Sequence, residues 1–198
     1  MHPTKERLIQ TVSAMLDEDV QHDVILEDVL NTSGISRGSL YHHFSDFPDL
    51  IEQTLLVRFS HGVDETTQLT RDIANKAKTA DEFWTGIGEL IVYSQSPLRA
   101  RRRQERTRII GLAATSERLA KALAAEQERL TVEMTEIYAE VQANGWARHD
   151  LDPRTIAVFT QAYTLGRVVD DISEEHVNSG DWDKLLNIVL NTFKSNAT

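Results

Sequence analysis

The sequence predicts an all-α protein of about nine helices. Apolar residues recur at intervals of three and four positions, as in Leu50, Leu55 and Phe59, and no segment alternates apolar and polar residues as a β-strand does. All four prolines follow a position where a helix can begin, and proline is tolerated in the first turn of a helix. With 198 residues, 40% of them hydrophobic, the chain can bury one large core or two small ones.

The predicted helices follow one another with short connections. Gly34 can adopt the positive φ of a tight turn, and the Ser36 hydroxyl can cap the helix that follows. Gly145 can end a helix in the left-handed conformation, and Asp152 followed by Pro153 begins the next one, which predicts a helical hairpin. We place helices at residues 4–19, 24–32, 36–43, 46–74, 81–95, 97–114, 116–144, 153–174 and 181–194.

Composition excludes several classes of site. The chain has no cysteine, which rules out disulfides, thiol nucleophiles and cysteine-ligated zinc. It contains no glycine-rich phosphate loop, nucleophile elbow or zinc-binding His-Glu helix, so we predict neither an enzyme nor a metal or cofactor site. No signal-like or membrane-spanning apolar run is visible, which predicts a cytoplasmic protein without membrane contact. The net charge of −10 argues against indiscriminate coating of nucleic acid.

Residues 24–46, which end in the stretch "SGISRGSLYHHFSD", predict a helix over 24–33, a tight turn at Gly34 and a second short helix capped by Ser36. In the second helix Leu40 and Phe44 lie four residues apart and face inward, together with Val29 and Ile35. Gly38 lets another backbone approach closely. The outward positions carry hydrogen-bond donors suited to base edges and phosphates, namely Arg37, Ser39, Tyr41 and His42.

Three segments carry a resemblance to a known family. "ERLIQTVSAML", "LEDVLNTSGISRGSLYHHF" and "DFPDLIEQ" together resemble the amino-terminal DNA-binding domain of TetR-type one-component bacterial regulators. The resemblance covers roughly the first quarter of the chain by motif. The remainder is similar in length, in helicity and in its apolar carboxy-terminal helices.

The resemblance implies a two-domain transcriptional regulator that acts as a repressor. Residues 1–48 would form a helix-turn-helix DNA-binding domain, and residues 49–198 would bind a small-molecule effector of unknown identity and form a homodimer. The homodimer would bind a palindromic double-stranded operator and leave it when the effector binds. The residues that would contact DNA are Ser36, Arg37, Gly38, Ser39, Tyr41 and His42, while His43 and Phe44 would pack inside the domain.

Two departures from the family pattern keep an alternative open. Family members place a hydroxyl residue at the start of the second helix, where this chain has Val24 and Ile25, and a lysine at the start of the fourth, where it has the acidic "SDFPDL". The predicted DNA-binding domain, residues 1–48, is called the head below. It has few positive charges, since Lys5, Arg7 and Arg37 are the only Lys or Arg residues before position 58. The alternative is a helical interaction protein with a vestigial DNA-binding head.

Two further sets of residues are assigned to the second domain. The predicted effector pocket is apolar with a few polar anchors, although an ordinary helical core would show the same periodicity; it comprises Trp84, Ile87, Ile91, Ile109, Met134, Tyr138, Phe159 and Tyr163. The last two helices carry more apolar surface than one subunit needs, which predicts a dimer interface. Its predicted residues are Phe159, Val169, Trp182, Leu186, Val189 and Phe193.

Two charged runs remain. "PLRARRRQERTR" is a dense positive run in an acidic chain, and it is either a solvated helix with ion pairs to neighbours such as Glu105 or a surface that attracts DNA or an anionic ligand. "DDISEEH" places Asp171 and Glu175 on one face of a predicted helix, where a hard cation is conceivable. Arg167 lies one turn before Asp171, and we predict an ion pair rather than a metal site.

Overall fold

The computed structural model describes residues 2–18 and 24–195, without the side chain of residue 63, and it confirms the all-α prediction. Within these residues the only pairing of extended backbone is a single bridge between Ala147 and Lys194. The first predicted helix ends at residue 19, which lies outside the described ranges, as do residues 196–198. The helices are α1 Pro3–Glu18, α2 Leu26–Ser33, α3 Arg37–His43, α4 Phe47–Lys76, α5 Ala80–Gln95, α6 Ala100–Ala113, α7 Glu117–Ala143, α8 Pro153–Gly166, α9 Val168–Asp171 and α10 Ser179–Asn191.

Side-chain caps begin most of these helices. Asp46 accepts a 2.7 Å hydrogen bond from the Asp49 amide ahead of α4, and Asp152 accepts one of 2.8 Å from the Thr155 amide ahead of α8. The first turn of each of these two helices holds a proline, which has no amide hydrogen to satisfy. Gly145 adopts the left-handed conformation (φ 74°) after α7, as the sequence predicts.

Two predicted helices are interrupted. Residues 97–114 begin as a 3₁₀ turn, Pro97–Arg99, before α6 starts. The predicted helix at 153–174 is wrong in its second half, because the chain forms α8 and the single-turn α9, with a break at Arg167. The break follows Gly166, a poor helix former. Arg167 is buried there, with its guanidinium 3.1 Å from Asp170 and stacked on the Trp182 ring.

Three apolar clusters form the interior. The first joins α1, α2, α3 and the start of α4 around Leu8, Leu40 and Leu50. A second joins α4, α6 and α7, and the third joins α5, α7, α8 and α10. The 30-residue α4 contributes to the first two, so it connects the amino-terminal head to the helical body. No helix in the described part of the chain is long and apolar enough to cross a membrane.

Candidate functional site

The helix-turn-helix predicted from residues 24–46 is present. Gly34 takes φ 66° and ends α2, and its amide donates to the Leu30 carbonyl. The Ser36 hydroxyl accepts a 3.2 Å hydrogen bond from the Ser39 amide, which caps α3 as predicted. No side chain caps the start of α2, where Ile25 stands, which agrees with the missing hydroxyl residue.

One face of α3 holds it in place. Leu40 is fully buried and Phe44, at its end, is 2% exposed, both within the cluster that includes Val29. Burying such side chains contributes roughly 1.5–3 kcal/mol each. His43 is only half-buried, with its ring centroid 4.6 Å from that of His2. Its pKa is lowered by partial burial and by the neighbouring charges of His2, His42 and Lys5.

The other face of α3 carries the six residues predicted to contact DNA, and all of them are exposed: Ser36, Arg37, Gly38, Ser39, Tyr41 and His42. A side chain added at Gly38 would meet no atom within 4 Å, so the subunit's own packing does not require glycine there. The α3 surface is therefore polar, open and fixed to a rigid core.

Arg37 already has a partner in the free protein. Its Nη2 lies 2.5 Å from a carboxylate oxygen of Glu27 in the first turn of α2, and both side chains are more than half exposed (56% and 63%). Exposed pairs of this kind contribute about 0–1 kcal/mol. Arg37 can therefore leave Glu27 and bind another acceptor at a small cost in free energy.

The acidic start of α4 is compensated from the body. Arg118, in the first turn of α7, places Nη2 3.1 Å from Asp46 and also pairs with Glu52. The hydrogen bond from Arg118 lowers the pKa of Asp46. Ser116 donates a 2.6 Å hydrogen bond to Glu52. The Asp46 carboxylate, in the acidic segment that precedes α4, is thus partly neutralised, and Asp46 and Glu52 together link the start of α4 to α7.

A second link joins α1 and α4 to α6. Arg58 donates to the Ser13 carbonyl (2.9 Å) and pairs with Asp17 of α1 and Glu105 of α6. Arg101 donates to the Asp17 carbonyl at 2.6 Å. The head is therefore connected to the body by charged side chains as well as by the continuous helix α4.

Most residues of the predicted effector pocket lie in the subunit core. Five of its eight residues pack together in the α5–α7–α8–α10 core and are at most 6% exposed: Trp84, Ile87, Ile91, Met134 and Tyr138. The indole of Trp84 donates to the Trp146 carbonyl (2.8 Å), and the Tyr138 hydroxyl bonds Thr160 (3.1 Å). Tyr163 packs against the same core, and Phe159 is 43% exposed. These seven residues recur at helical intervals. Residues that line a pocket and residues that fill a core both show this periodicity, so the sequence could not distinguish the two.

A cavity of about 1130 Å³ lies elsewhere, open to solvent between α1, α4 and α6 and bounded on one side by Thr164 and Leu165 of α8. Of the predicted pocket residues, Ile109 lines it. Its other apolar lining includes Ile9, Phe59 and Leu165. The remaining walls are mostly charged, and the arginine run contributes most of the positive charge.

The arginine run forms ion pairs, as one of the two interpretations predicts. Arg103 is buried and makes two hydrogen bonds, of 2.7 and 2.6 Å, to the Asp171 carboxylate, which is equally buried. Arg99 and Arg102 both pair with Glu65. Arg103, rather than Arg167, is thus the partner of Asp171. Since α9 ends at Asp171, Glu175 does not continue its helical face, and no group of three metal-ligating side chains occurs in the described residues.

The exposed apolar face at the carboxy-terminal end differs from the predicted one in register. Leu186 is 6% exposed and belongs to the subunit's own core, so its assignment to the dimer interface is wrong. Trp182, Val189 and Phe193 are half-buried, whereas Val169 is 71% exposed. The neighbouring positions are the open ones, with Leu185 and Ile188 51% and 64% exposed. Positions 185, 186, 188 and 190 of α10 are all apolar, so periodicity alone does not show that 186 and 190 face the core while 185 and 188 face solvent.

Solved structures share this arrangement of head and body. GusR of Salmonella enterica superposes with a TM-score of 0.67 at 16% identity, over 98% of this chain and 97% of its own. NemR of Escherichia coli, in its reduced form, gives 0.67 at 16% identity, over 98% and 100%. A transcriptional regulator of the TetR/AcrR family from Thermobifida fusca gives 0.64 at 17% identity, over 94% and 95%. The chain has the TetR fold. No protein-family model and no curated protein matches the sequence.

Within this TetR fold, three residues were missed by the sequence analysis. Glu27 engages Arg37, Arg118 engages Asp46, and Arg106 lines the cavity. Glu27 and Arg118 lie 10 and 72 residues from their partners in sequence. Only the tertiary fold brings such groups together. The one sequence signal for Arg106 was its membership of the arginine run.

Proposed function

We propose that the chain is a TetR-family transcriptional regulator, a repressor that binds operator DNA as a homodimer and is released by a small molecule. Residues 1–48 would be its DNA-binding domain and residues 49–198 its effector-binding and dimerisation domain. The observation that carries the proposal is the open polar face of α3, held on a buried core in a chain with the TetR fold. No catalytic role is proposed for any residue, and a DNA-binding regulator would act in the cytoplasm.

In this proposal α3 enters the major groove. Arg37 and Ser39 would reach base edges, and arginine binds guanine O6 and N7 with two hydrogen bonds. Tyr41 and His42 would contact phosphate or base, and Ser36 would present its hydroxyl near the backbone. Gly38, which has open space beside it, would allow a close approach of the duplex.

The homodimer would form through the exposed apolar face of α8, α9 and α10. Its corrected residues are Phe159, Val169, Leu185 and Ile188, with half-buried Trp182, Val189 and Phe193 at their side. A second copy of the same face would cover them, as a two-fold interface requires. Two α3 helices related by that axis would then match two operator half-sites, which makes the operator palindromic.

Release by an effector is supported by the position of the cavity. It is bounded by α1 and α4, which carry the head, and by α6 of the body. A molecule bound there touches both parts and can favour one arrangement over another. Loss of the correct distance between two α3 helices would end operator binding.

One observation favours the alternative, a helical interaction protein with a vestigial head: Arg37 is engaged by Glu27 in a head with few cations. A titration decides between the two. Labelled DNA from upstream of the gene and an unrelated duplex of equal length are titrated with the protein at two salt concentrations. The proposal requires the upstream DNA to bind roughly 10³-fold tighter or more, and affinity to fall as salt rises. Equal, weak binding of both duplexes would support the alternative.

A further inference from the structure

The cavity contains an arginine that differs from its neighbours. Arg106 of α6 stacks its guanidinium 4.9 Å from the ring centroid of Phe59, and its Nη2 donates a 3.1 Å hydrogen bond to the side-chain oxygen of Gln127. Its Nε is buried and has no acceptor among the described residues. The guanidinium therefore has an amide and an aromatic ring as neighbours, and its buried Nε–H has no acceptor among the described residues.

The other arginines of the cavity each donate to a carboxylate or to a backbone carbonyl. Arg58 pairs with Asp17 and Glu105, and Arg103 pairs with Asp171. Arg106 forms no such ion pair with the described residues. Burial without an opposing charge lowers its pKa to about 10, so it is still a cation at neutral pH. Burying an uncompensated charge is costly, and such a group is a natural binding site for an anion.

The surroundings of Arg106 limit the kind of anion. Val57, Leu98 and Leu165 give the cavity lining its accessible apolar surface. Carboxylates of Asp17, Glu65 and Glu105 also line it. Each of these carboxylates is already engaged by an arginine, Asp17 and Glu105 by Arg58 and Glu65 by Arg99 and Arg102. Among the described residues Arg106 adds one partly buried positive charge without such a partner, which a ligand with a single negative charge can neutralise.

We propose that the cavity binds a small monocarboxylate, whose carboxylate pairs with Arg106 and whose apolar part packs on Val57, Leu98 and Leu165. This names the chemical class of the effector and, for its regulatory meaning, rests on the proposed function. A guanidinium donates two parallel hydrogen bonds to a carboxylate. Gln127 is the one hydrogen-bond partner that the described residues give Arg106, so its other Nη donors are left for a ligand.

The test compares carboxylates with their neutral amides. Hexanoate, octanoate and 4-phenylbutyrate, each beside its amide, are titrated calorimetrically into the wild-type protein, Arg106→Met and Arg108→Met. Arg108 lies exposed on the same helix and is the matched control. At least one of the carboxylates should bind the wild type and the Arg108 variant equally, and about tenfold or more tightly than its amide or the Arg106 variant.

Thermal melting separates a ligand-binding arginine from a structural one. Arg106→Met removes a cation that no carboxylate compensates, and this gain offsets the lost hydrogen bond to Gln127 and the lost stacking on Phe59, so the variant should melt close to the wild-type temperature. A variant that melts well below the wild type would show that Arg106 is structural and overturn the proposal. Absence of wild-type binding to all three carboxylates at millimolar concentration would do the same, as would equal binding of the amides.

Operator titration of the same wild-type sample keeps the two proposals apart. DNA binding without carboxylate binding would leave the regulator and remove this ligand class. Carboxylate binding without any preference for upstream DNA would support the site at Arg106 and contradict the proposed function.

Discussion

Arg37 is the side chain on which base recognition should depend most. Replacing it with alanine removes a candidate guanine contact, which is worth roughly 1–3 kcal/mol of discrimination. The fold should be unaffected, since Arg37 is exposed and its single ion pair lies at the surface. Competition binding with operators changed one base pair at a time should show relaxed preference at one position in each half-site. A variant as tight and selective as the wild type would mean that Arg37 does not read the sequence.

Glu27 should act against DNA binding. It occupies Arg37 in the free protein and adds negative charge beside the proposed phosphate-facing surface. Glu27→Gln should therefore tighten operator binding, by up to about 1 kcal/mol, and most at low salt. Glu89→Gln makes the same charge change on an exposed residue of α5 and is the control. Equal gains in both variants would attribute the effect to net charge alone.

The contact between α6 and α9 depends on one buried ion pair. Arg103 and Asp171 are 6% and 7% exposed, and Arg103 also donates to the Ser94 and Ser96 carbonyls. Arg103→Met leaves a buried carboxylate without its partner, which costs about 3–5 kcal/mol, or roughly 6–20 °C in melting temperature for a chain of this size. Arg103→Met with Asp171→Leu should recover much of the loss in calorimetric melting. If the double variant is no more stable than the single one, the unpaired charge is not the cause.

Local signals predicted the helices well and the long-range contacts poorly. Ser36, Asp46 and Asp152 cap helices because a short polar side chain reaches the amide two or three residues on, and that chemistry is visible in the sequence. The pairing of Arg118 with Asp46 joins residues that are far apart in the chain, so no local pattern contains it. Periodicity also failed to tell Leu186, which is buried, from Leu185, which is exposed.

The proposed dimer interface can be tested by contrasting two positions on α10. Ile188→Glu places a charge on the exposed apolar face and should dissociate the dimer while the subunit stays folded. Leu186→Glu places the charge in the subunit's own core and should instead lower its melting temperature. Ala124→Glu, on an exposed position of α7, should change neither property. Sedimentation at micromolar concentration measures the first effect, and an Ile188→Glu variant that remains dimeric would move the interface elsewhere.

Operator and effector should oppose each other by the same factor. The cavity touches α1 and α4, and the ion pairs of Arg58 and Arg118 tie the head to α6 and α7. A ligand that moves α6 should therefore tilt α4 and change the separation of the two α3 helices, which must match a fixed half-site spacing.

Such coupling is usually about 1–3 kcal/mol and must be reciprocal, so operator DNA weakens ligand binding as much as ligand weakens DNA binding. Calorimetric titration of a binding carboxylate with and without operator measures one direction, and titration of operator with and without the carboxylate measures the other. Arg118→Ala should reduce the coupling while leaving ligand affinity in the absence of DNA unchanged, because Arg118 does not line the cavity. Equal ligand affinity with and without operator would contradict release by this cavity, even if the protein binds DNA.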